Sequence, residues 1–211
     1  MTLRLILARH GDTFNPGDRV VFVGASNDLP LTEKGRAQAA ALGECLARLK
    51  LQDCPILCGP LQRTRIFAQI AAAHLTPTPL ITVDSRLNEL DYGLWAGLTN
   101  QEIKDRYGEE ELTRWDTQSI WPQNAGWPES EAVVTSEVLS LVHEIRATGA
   151  TSAVVVSSNG RLRYFLKSIP GAFEQYALAG KAKVRTGNIC MLEFTKDKGR
   201  VCGWNIPPEI P

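Results

Sequence analysis

Three short clusters in this chain hold residue types suited to handling a phosphate. Arg9-His10-Gly11 closes the first apolar run, Leu3-Arg4-Leu5-Ile6-Leu7-Ala8. An imidazole there can attack phosphorus, the neighbouring guanidinium can hold the phosphoryl oxygens, and the glycine lets backbone come close. Pro60-Leu61-Gln62-Arg63 follows a second apolar run, with Pro60 suited to opening a helix and Arg63 on its first turn. Ser157-Ser158-Asn159-Gly160-Arg161 follows another, where the amides of a new helix favour an anion. Taken singly, Arg63 reads as a surface helix residue and His10 as a satisfied structural imidazole. Only convergence gives them chemistry, and convergence needs a fold that gathers three strand ends.

The order of elements supplies one. Strands are expected at 3–8, 55–58, 80–83, 152–157 and 189–194, and the segments 3–6 and 153–156 are apolar on both faces, as central strands are. Thr32 can cap a helix running to about residue 49, with Ala37, Ala41, Cys45 and Leu49 recurring every four residues on its inner side. A second helix follows Pro60. Another spans about 129–147, with Val133, Val138, Leu141 and Ile145 inward. This alternation predicts an α/β fold, a three-layer α/β/α sandwich with a mostly parallel central sheet and an antiparallel edge. The edge comes from a hairpin turned at Asp197-Lys198-Gly199. In such sheets ligands bind beyond the carboxyl ends of the strands, where all three clusters fall. A single domain, 1–211, is expected. An insertion at about 88–126, without strand patterns and carrying Trp95, Trp115 and Trp121, should roof the site. The proline-rich tail at 206–211 should lie along the surface.

Of 211 residues, 44% are apolar and 22% charged, with 23 basic and 23 acidic side chains. That balance argues against nucleic acid or a membrane as partner and leaves room for a small cationic pocket. Five cysteines without Cys-x-x-Cys spacing suggest reduced, mostly buried thiols. No clustered His, Asp or Glu set calls for a metal, and no cofactor is expected. The six-residue opening run is too short for a signal-peptide core or a membrane span, so a cytoplasmic location is expected. A homodimer through exposed tryptophans or the hairpin edge is compatible with the sequence.

Arg9-His10-Gly11-Asp12-Thr13, the stretch Asp28-Leu29-Pro30-Leu31-Thr32-Glu33-Lys34-Gly35-Arg36-Ala37-Gln38-Ala39, Pro60-Leu61-Gln62-Arg63, and Leu87-Asn88-Glu89 followed by Gly93-Leu94-Trp95-Ala96-Gly97-Leu98-Thr99 occur in one order. Pro128-Glu129-Ser130 comes next, like a Gly-Glu-Ser motif with its glycine replaced. In these segments the chain resembles the histidine phosphatase superfamily, which includes the cofactor-dependent phosphoglycerate mutases. The resemblance implies a phosphoglycerate mutase-like fold and a two-step phosphoryl transfer. His10 would take the phosphoryl group while Arg9 and Arg63 pin its oxygens; these two cations should also disfavour the imidazolium. Glu89 would protonate the leaving alcohol and then activate water, with Asp91 as runner-up. That role needs a protonated carboxyl, which an adjacent phosphate dianion would encourage. Substrate binding is expected from Arg9, Arg63, Thr13, Asn15, Arg19, Ser158, Asn159 and Gly160, the loop through 22–27 shaping access. Asn15 ranks below the others because the family's asparagine comes one residue later.

The resemblance breaks at Ser158, which stands where the family has a second histidine. His74 and His143 match no motif and are expected to be structural or exposed. A serine hydroxyl gives phosphate a neutral hydrogen bond in place of a charge-assisted one, a difference of about 1–2 kcal/mol, or roughly a decade in rate. If the donor acts mainly in the transition state, the loss approaches two to three decades, roughly. Arg161 could restore the charge, and Arg163 is expected to be structural. Three functions follow: a phosphomonoesterase acting on a small phosphorylated metabolite, a mutase, or a non-catalytic binder of phosphorylated ligands. The roof offers only Arg106 and Arg114 as extra cations, which favours the phosphatase over the mutase.

Overall fold

The run expected at 3–8 forms β1 (Leu3–Arg9), and Leu5, Ile6, Leu7 and Ala8 in it are fully shielded from solvent. In the computed structural model, which describes residues 2–51 and 54–209, β1 lies inside a six-stranded sheet. It is followed by α1 (Glu33–Arg48), β2 (Ile56–Cys58), α2 (Gln62–Ala72), β3 (Ile81–Val83), α3 (Asn100–Tyr107), α4 (Glu109–Gln118) and α5 (Glu131–Ala147). Then come β4 (Ser152–Ser157), α6 (Asn159–Leu162), α7 (Ala172–Leu178), β5 (Ile189–Phe194) and β6 (Gly199–Ile206). The strand order is β3-β2-β4-β1-β5-β6, the first four mutually parallel and β5 antiparallel to both its neighbours, β1 and β6. This is the expected α/β architecture, with an antiparallel edge formed by a pair of strands.

Register brings the strand ends together. Arg9 pairs with Ser157, and both Ala8 and Cys58 pair with Val156, so the loops after β1, β2 and β4 leave the sheet side by side. β5 runs the other way, Ala8 opposite Ile189, so the segment before β5 reaches the same end. Alternation along β1 splits the core: Leu5 and Leu7 pack with α5 and the tryptophans, whereas Ile6 and Ala8 pack with α1 and α2. Each such Leu or Ile, fully buried, stabilises the fold by about 1.5–3 kcal/mol.

Two helix faces differ from expectation. α1 buries Gly35, Ala39, Leu42, Gly43, Cys45 and Leu46; Ala37 is exposed, and Ala41 and Leu49 are half-buried. A strict four-residue row drifts about 40° per step from the helical period, so it winds off the inner face. In α5 Val138, Leu141 and Ile145 are buried as expected, but Val134 is buried in place of Val133.

The segment 88–126 contains α3, α4 and a 3₁₀ turn at Gly93–Trp95. Its tryptophans are not an exposed face for dimerisation. Trp95 and Trp115 are buried, and half-buried Trp121 and Trp127 meet Trp115 and one another edge to face, with ring centroids 4.7 Å (Trp115–Trp127) and 4.8 Å (Trp121–Trp127) apart. The tail packs more closely than a surface strand: Pro208 is buried and its carbonyl accepts from Arg48 Nη2 at 2.8 Å, while positions 210 and 211 lie outside the described residues. All five cysteines are free and only Cys202 is exposed; burial pushes the Cys58 thiol up to about 11. Among the described residues no helix is long and apolar enough to cross a membrane.

Candidate active site

His10 is the first residue beyond β1, and its backbone N–H donates to the Ser157 carbonyl of β4 at 3.1 Å. That bond seats the imidazole between the two central strand ends, 5% exposed. Its Nδ1 lies 2.8 Å from the Gly11 carbonyl oxygen. A carbonyl only accepts, so the proton is assigned to Nδ1 and Nε2 keeps its lone pair. Burial pushes the His10 pKa well below the ordinary histidine value, Arg9 and then Arg63 push further, and the Gly11 bond opposes them. Burial, more than the two cations, keeps the ring neutral.

Gly11 serves packing rather than ligand approach. A Cβ there would sit 2.3 Å from the Gly35 carbonyl oxygen, and one on Gly35 would sit 2.3 Å from that of Asp12. Two bare backbones thus let the loop after β1 lie on the first turn of α1. Thr32 fastens it, donating from N and Oγ1 to the Asp12 carbonyl at 2.9 and 3.1 Å.

Arg63, on the first turn of α2, is 2% exposed, and its Nη1 and Nη2 donate to the carbonyls of Asn27 and Gly24 at 2.8 and 2.9 Å. Arg9 donates from Nη1 to the Val184 carbonyl at 2.7 Å, and its Nε has no partner among the described residues. Burial lowers the pKa of both guanidiniums, and Glu89 is the largest opposing influence on each. Glu89 is buried, Oε1 accepting from Leu90 N at 2.9 Å and Oε2 from Gly160 N at 3.4 Å. Its segment hangs from the end of β4 through Ser157 Oγ to the Leu87 carbonyl, 2.8 Å, and Arg161 Nε to the Asn88 carbonyl, 2.9 Å.

Arg9, His10, Arg63 and Glu89 all line one cleft of about 920 Å³, together with Thr13, Asn15 and Asn159. Other expected residues stand elsewhere. Ser158 is fully buried behind the lining, its hydroxyl without a partner among the described residues. Gly160 is not an anion-binding amide: its N–H faces Glu89, and a Cβ on it would lie 2.5 Å from Glu89 Oε1 and 2.8 Å from the Tyr92 hydroxyl. α6 is a single turn that passes into a 3₁₀ turn at Arg163–Ser168, too short to gather the amides that the sequence promised. Arg19 is exposed, bound to Glu102 and the Gly97 carbonyl outside the lining. Asp91 accepts from Gly93 N at 2.9 Å and closes a turn away from the cleft. His74 and His143 are exposed and lie outside the cleft lining, as do Arg106 and Arg114.

The two arginines after Ser158 exchange their expected roles. Arg161 restores no charge to the site, because its Nη1 pairs with Glu137 at 2.6 Å and its Nη2 with Glu129 at 3.4 Å. Arg163 does line the cleft. Its Nη1 donates to the Trp115 carbonyl and Ser119 Oγ, and its guanidinium carbon lies 4.4 Å from the centroid of the Trp115 ring. Its Nε and Nη2 have no partner among the described residues.

Tyr92, Lys34, Asp116, Lys183, Arg185 and Thr186 also line the cleft, and sequence reasoning does not single them out. Lys183 to Thr186 precede β5, and only its antiparallel pairing with β1 brings them there: Gly187 N reaches the carbonyls of Arg9 and His10 at 3.2 Å. A strand pattern does not announce direction, so the signal is absent. Burial, then the charge of Glu89, pushes the Tyr92 phenol well above its ordinary value and keeps it a neutral donor. Among the described residues, no group of three or more His, Cys, Asp or Glu is placed to hold a metal ion.

Known proteins are similar to this chain in sequence and fold. The sequence profile of the histidine phosphatase superfamily (branch 1) matches residues 5–207. A 2,3-bisphosphoglycerate-dependent phosphoglycerate mutase of Corynebacterium jeikeium is 37% identical over 98% of this chain and 81% of its own length. A glucosyl-3-phosphoglycerate phosphatase of Mycolicibacterium vanbaalenii is 32% identical over 75% of this chain and 70% of its own. The solved structure of a mycobacterial glucosyl-3-phosphoglycerate phosphatase superposes with a TM-score of 0.79 at 25% identity, covering 98% of this chain and 100% of that one. With a family profile matched over nearly the whole chain and a matching fold, the chain belongs to the histidine phosphatase superfamily and is a phosphoryl-transfer enzyme.

Proposed function

We propose that the protein is a phosphomonoesterase that releases phosphate from a small phosphorylated metabolite by way of a phosphohistidine on His10. The tautomer of His10 carries this reading: with Nδ1–H held by the Gly11 carbonyl, Nε2 is free to act as nucleophile. In the first step the Nε2 lone pair bonds to phosphorus as the ester P–O bond breaks, and Glu89 gives its proton to the leaving alkoxide. In the second, water attacks the phosphorus of phospho-His10, its proton passes to Glu89, and the P–N bond electrons return to Nε2. Arg9 and Arg63 face the charge that grows on the phosphoryl oxygens, fixed in place before the reaction begins. Arg163, lining the same cleft, adds a buried cation where a second histidine is lacking.

His10→Ala should lower phosphate release from an aryl phosphate on the order of 10⁴-fold or more and abolish acid-labile, base-stable labelling of the protein. A variant as active as the parent would show the mechanism to be wrong. Parent protein that binds phosphate but never labels would instead be the non-catalytic binder.

The similarity to a mutase supports a second reading, transfer between hydroxyls of one small acid or sugar. A mutase needs spare cations for the second anionic group of its substrate. Here Lys34 and Lys183 are engaged by Asp12 and Asp116, and Arg106 and Arg114 lie outside the lining, which leaves exposed Arg185 alone for that group and favours hydrolysis. A bisphosphorylated acid added as primer with a monophosphate substrate separates the two: isomerised product without free phosphate would establish the mutase.

A further inference from the structure

The cleft is far larger than a phosphate needs, and one of its walls is apolar. Phe14, Val20, Val21 and Val23 line it from the loop between β1 and α1. Val20 is 62% exposed, while Phe14, Val21 and Val23 are half-buried. Side chains of this kind cost free energy in contact with water, and a group of them opening onto a reactive site marks where the apolar portion of a ligand lies.

The wall is held, not loose. Phe22 N donates to the Leu98 carbonyl at 2.9 Å, Gly97 N to the Phe22 carbonyl at 2.8 Å, and Ala25 N to the Leu90 carbonyl at 3.0 Å. The Phe22 ring packs edge-on against Tyr92 and Trp95, with centroids 5.1 and 5.6 Å away. Arg63 grips the Gly24 and Asn27 carbonyls from beneath. The guanidinium placed in the phosphate cup is therefore also the anchor of the apolar wall, which fixes the wall relative to His10. Across the cleft, the lysine charges are neutralised, Lys34 by Asp12 at 2.7 Å and Lys183 by Asp116 at 2.5 Å. Arg185, exposed on the lining, is the cation left there without a carboxylate among the described residues, while the loop side of the space above the phosphate offers apolar contact.

We infer that the substrate is a phosphomonoester with an apolar, alkyl or aryl, body, which lies along Phe14, Val20, Val21 and Val23, and that polyhydroxylated esters of the same size are disfavoured. This rests on the phosphatase reading for its turnover, though not for its binding.

The test uses non-hydrolysable ligands, so that binding is read apart from chemistry. Titration calorimetry with methyl-, propyl- and hexylphosphonate should show Kd falling about twofold to fourfold for each methylene added. Propylphosphonate should bind more tightly than 2,3-dihydroxypropylphosphonate. In the double variant Val20→Ser, Val21→Ser the chain-length dependence should flatten while methylphosphonate affinity stays within about twofold, since its few atoms reach little of the wall. Val83→Ser, at an exposed site on β3, should keep the parental slope and so control for surface change. A flat parental series, tighter binding of the dihydroxy ligand, or a slope that survives the double variant would each overturn the inference. Hydrolysis of hexyl phosphate, measured in parallel, bears on the other claim: a normal binding slope without phosphate release would overturn the phosphatase reading and leave the apolar wall standing. Failure of every phosphonate to bind at millimolar concentration would overturn both.

Discussion

The floor of the cleft and its rim hold charge in opposite ways. At the floor, His10, Arg63 and Glu89 are all less than a tenth exposed, and each is fixed by main-chain groups: the Gly11 carbonyl, the carbonyls of Asn27 and Gly24, and the amides of Leu90 and Gly160. At the rim, the side chains of Lys34 and Lys183, and just beyond the lining that of Arg19, are 74%, 48% and 58% exposed and reach carboxylates on other side chains. Backbone partners are rigid dipoles that need no reorganisation when a phosphoryl group arrives, which is what transition-state stabilisation requires. Exposed pairs exchange with water and contribute about 0–1 kcal/mol each. A charged residue near the cleft is therefore not a catalytic residue by proximity alone. Its partners decide.

The sharpest way to break this contrast is to remove one cation from each region. Arg63→Met should lower kcat/KM about 10²- to 10³-fold. It should also lower Tm, because the carbonyls of Gly24 and Asn27 lose their donors. Arg19→Ala, cutting the contacts to Glu102 and Gly97, should leave kcat/KM within about twofold. Steady-state kinetics on a common aryl phosphate checks both, and comparable losses would mean that rim and floor are not distinct.

The next largest effect tests whether the floor depends on fit as well as charge. Gly160→Ala changes no charge, yet its methyl would press on Glu89 Oε1 and the Tyr92 hydroxyl. Both are held among buried neighbours, so the carboxyl must move. A displacement of about 1 Å in a proton-transfer group costs on the order of 10²-fold, so kcat should fall by about 10- to 100-fold with KM less affected. A variant with parental kcat would show that Glu89 has slack, and the proton-transfer role would then belong to another group.

How much of this is legible in the sequence differs between the same two regions. The floor can be read because each contributor stands within a few residues of a strand end, and strand ends are marked by apolar runs stopping at Gly, Pro or a helix cap. Arg9, His10 and Arg63 are found that way, and the family resemblance supplies Glu89 and the order of all four. The rim cannot be read. Lys183, Arg185 and Thr186 reach the cleft only because β5 runs antiparallel beside β1, a fact of pairing that no local pattern encodes. The same limit explains the exchange between Arg161 and Arg163. They are two residues apart on a turn that changes from α to 3₁₀ geometry, and their directions are set by Glu129, Glu137 and Trp115, all distant in sequence. On α1, periodicity reveals the helix but not its inner face, because a strict four-residue row drifts off the helical period.

The finest test concerns Ser158, which belongs to the floor by burial but lacks the kind of partner that holds His10, Arg63 and Glu89. Its hydroxyl makes no side-chain cap for α6 and no other hydrogen bond among the described residues. A buried hydroxyl in that state costs about 1–3 kcal/mol, so Ser158→Ala should stabilise the protein by about 1 kcal/mol and raise Tm by roughly 2–4 °C. Ser158 lies behind the cleft lining, so its hydroxyl must come forward to meet a bound phosphate; if it does, the same variant should lose up to about tenfold in kcat/KM, the worth of one neutral hydrogen bond. Thermal denaturation and kinetics on the same preparation check the pair. A gain in stability together with a loss in rate marks a group whose cost in the resting protein is offset during turnover. Greater stability at unchanged rate would instead place Ser158 outside the chemistry.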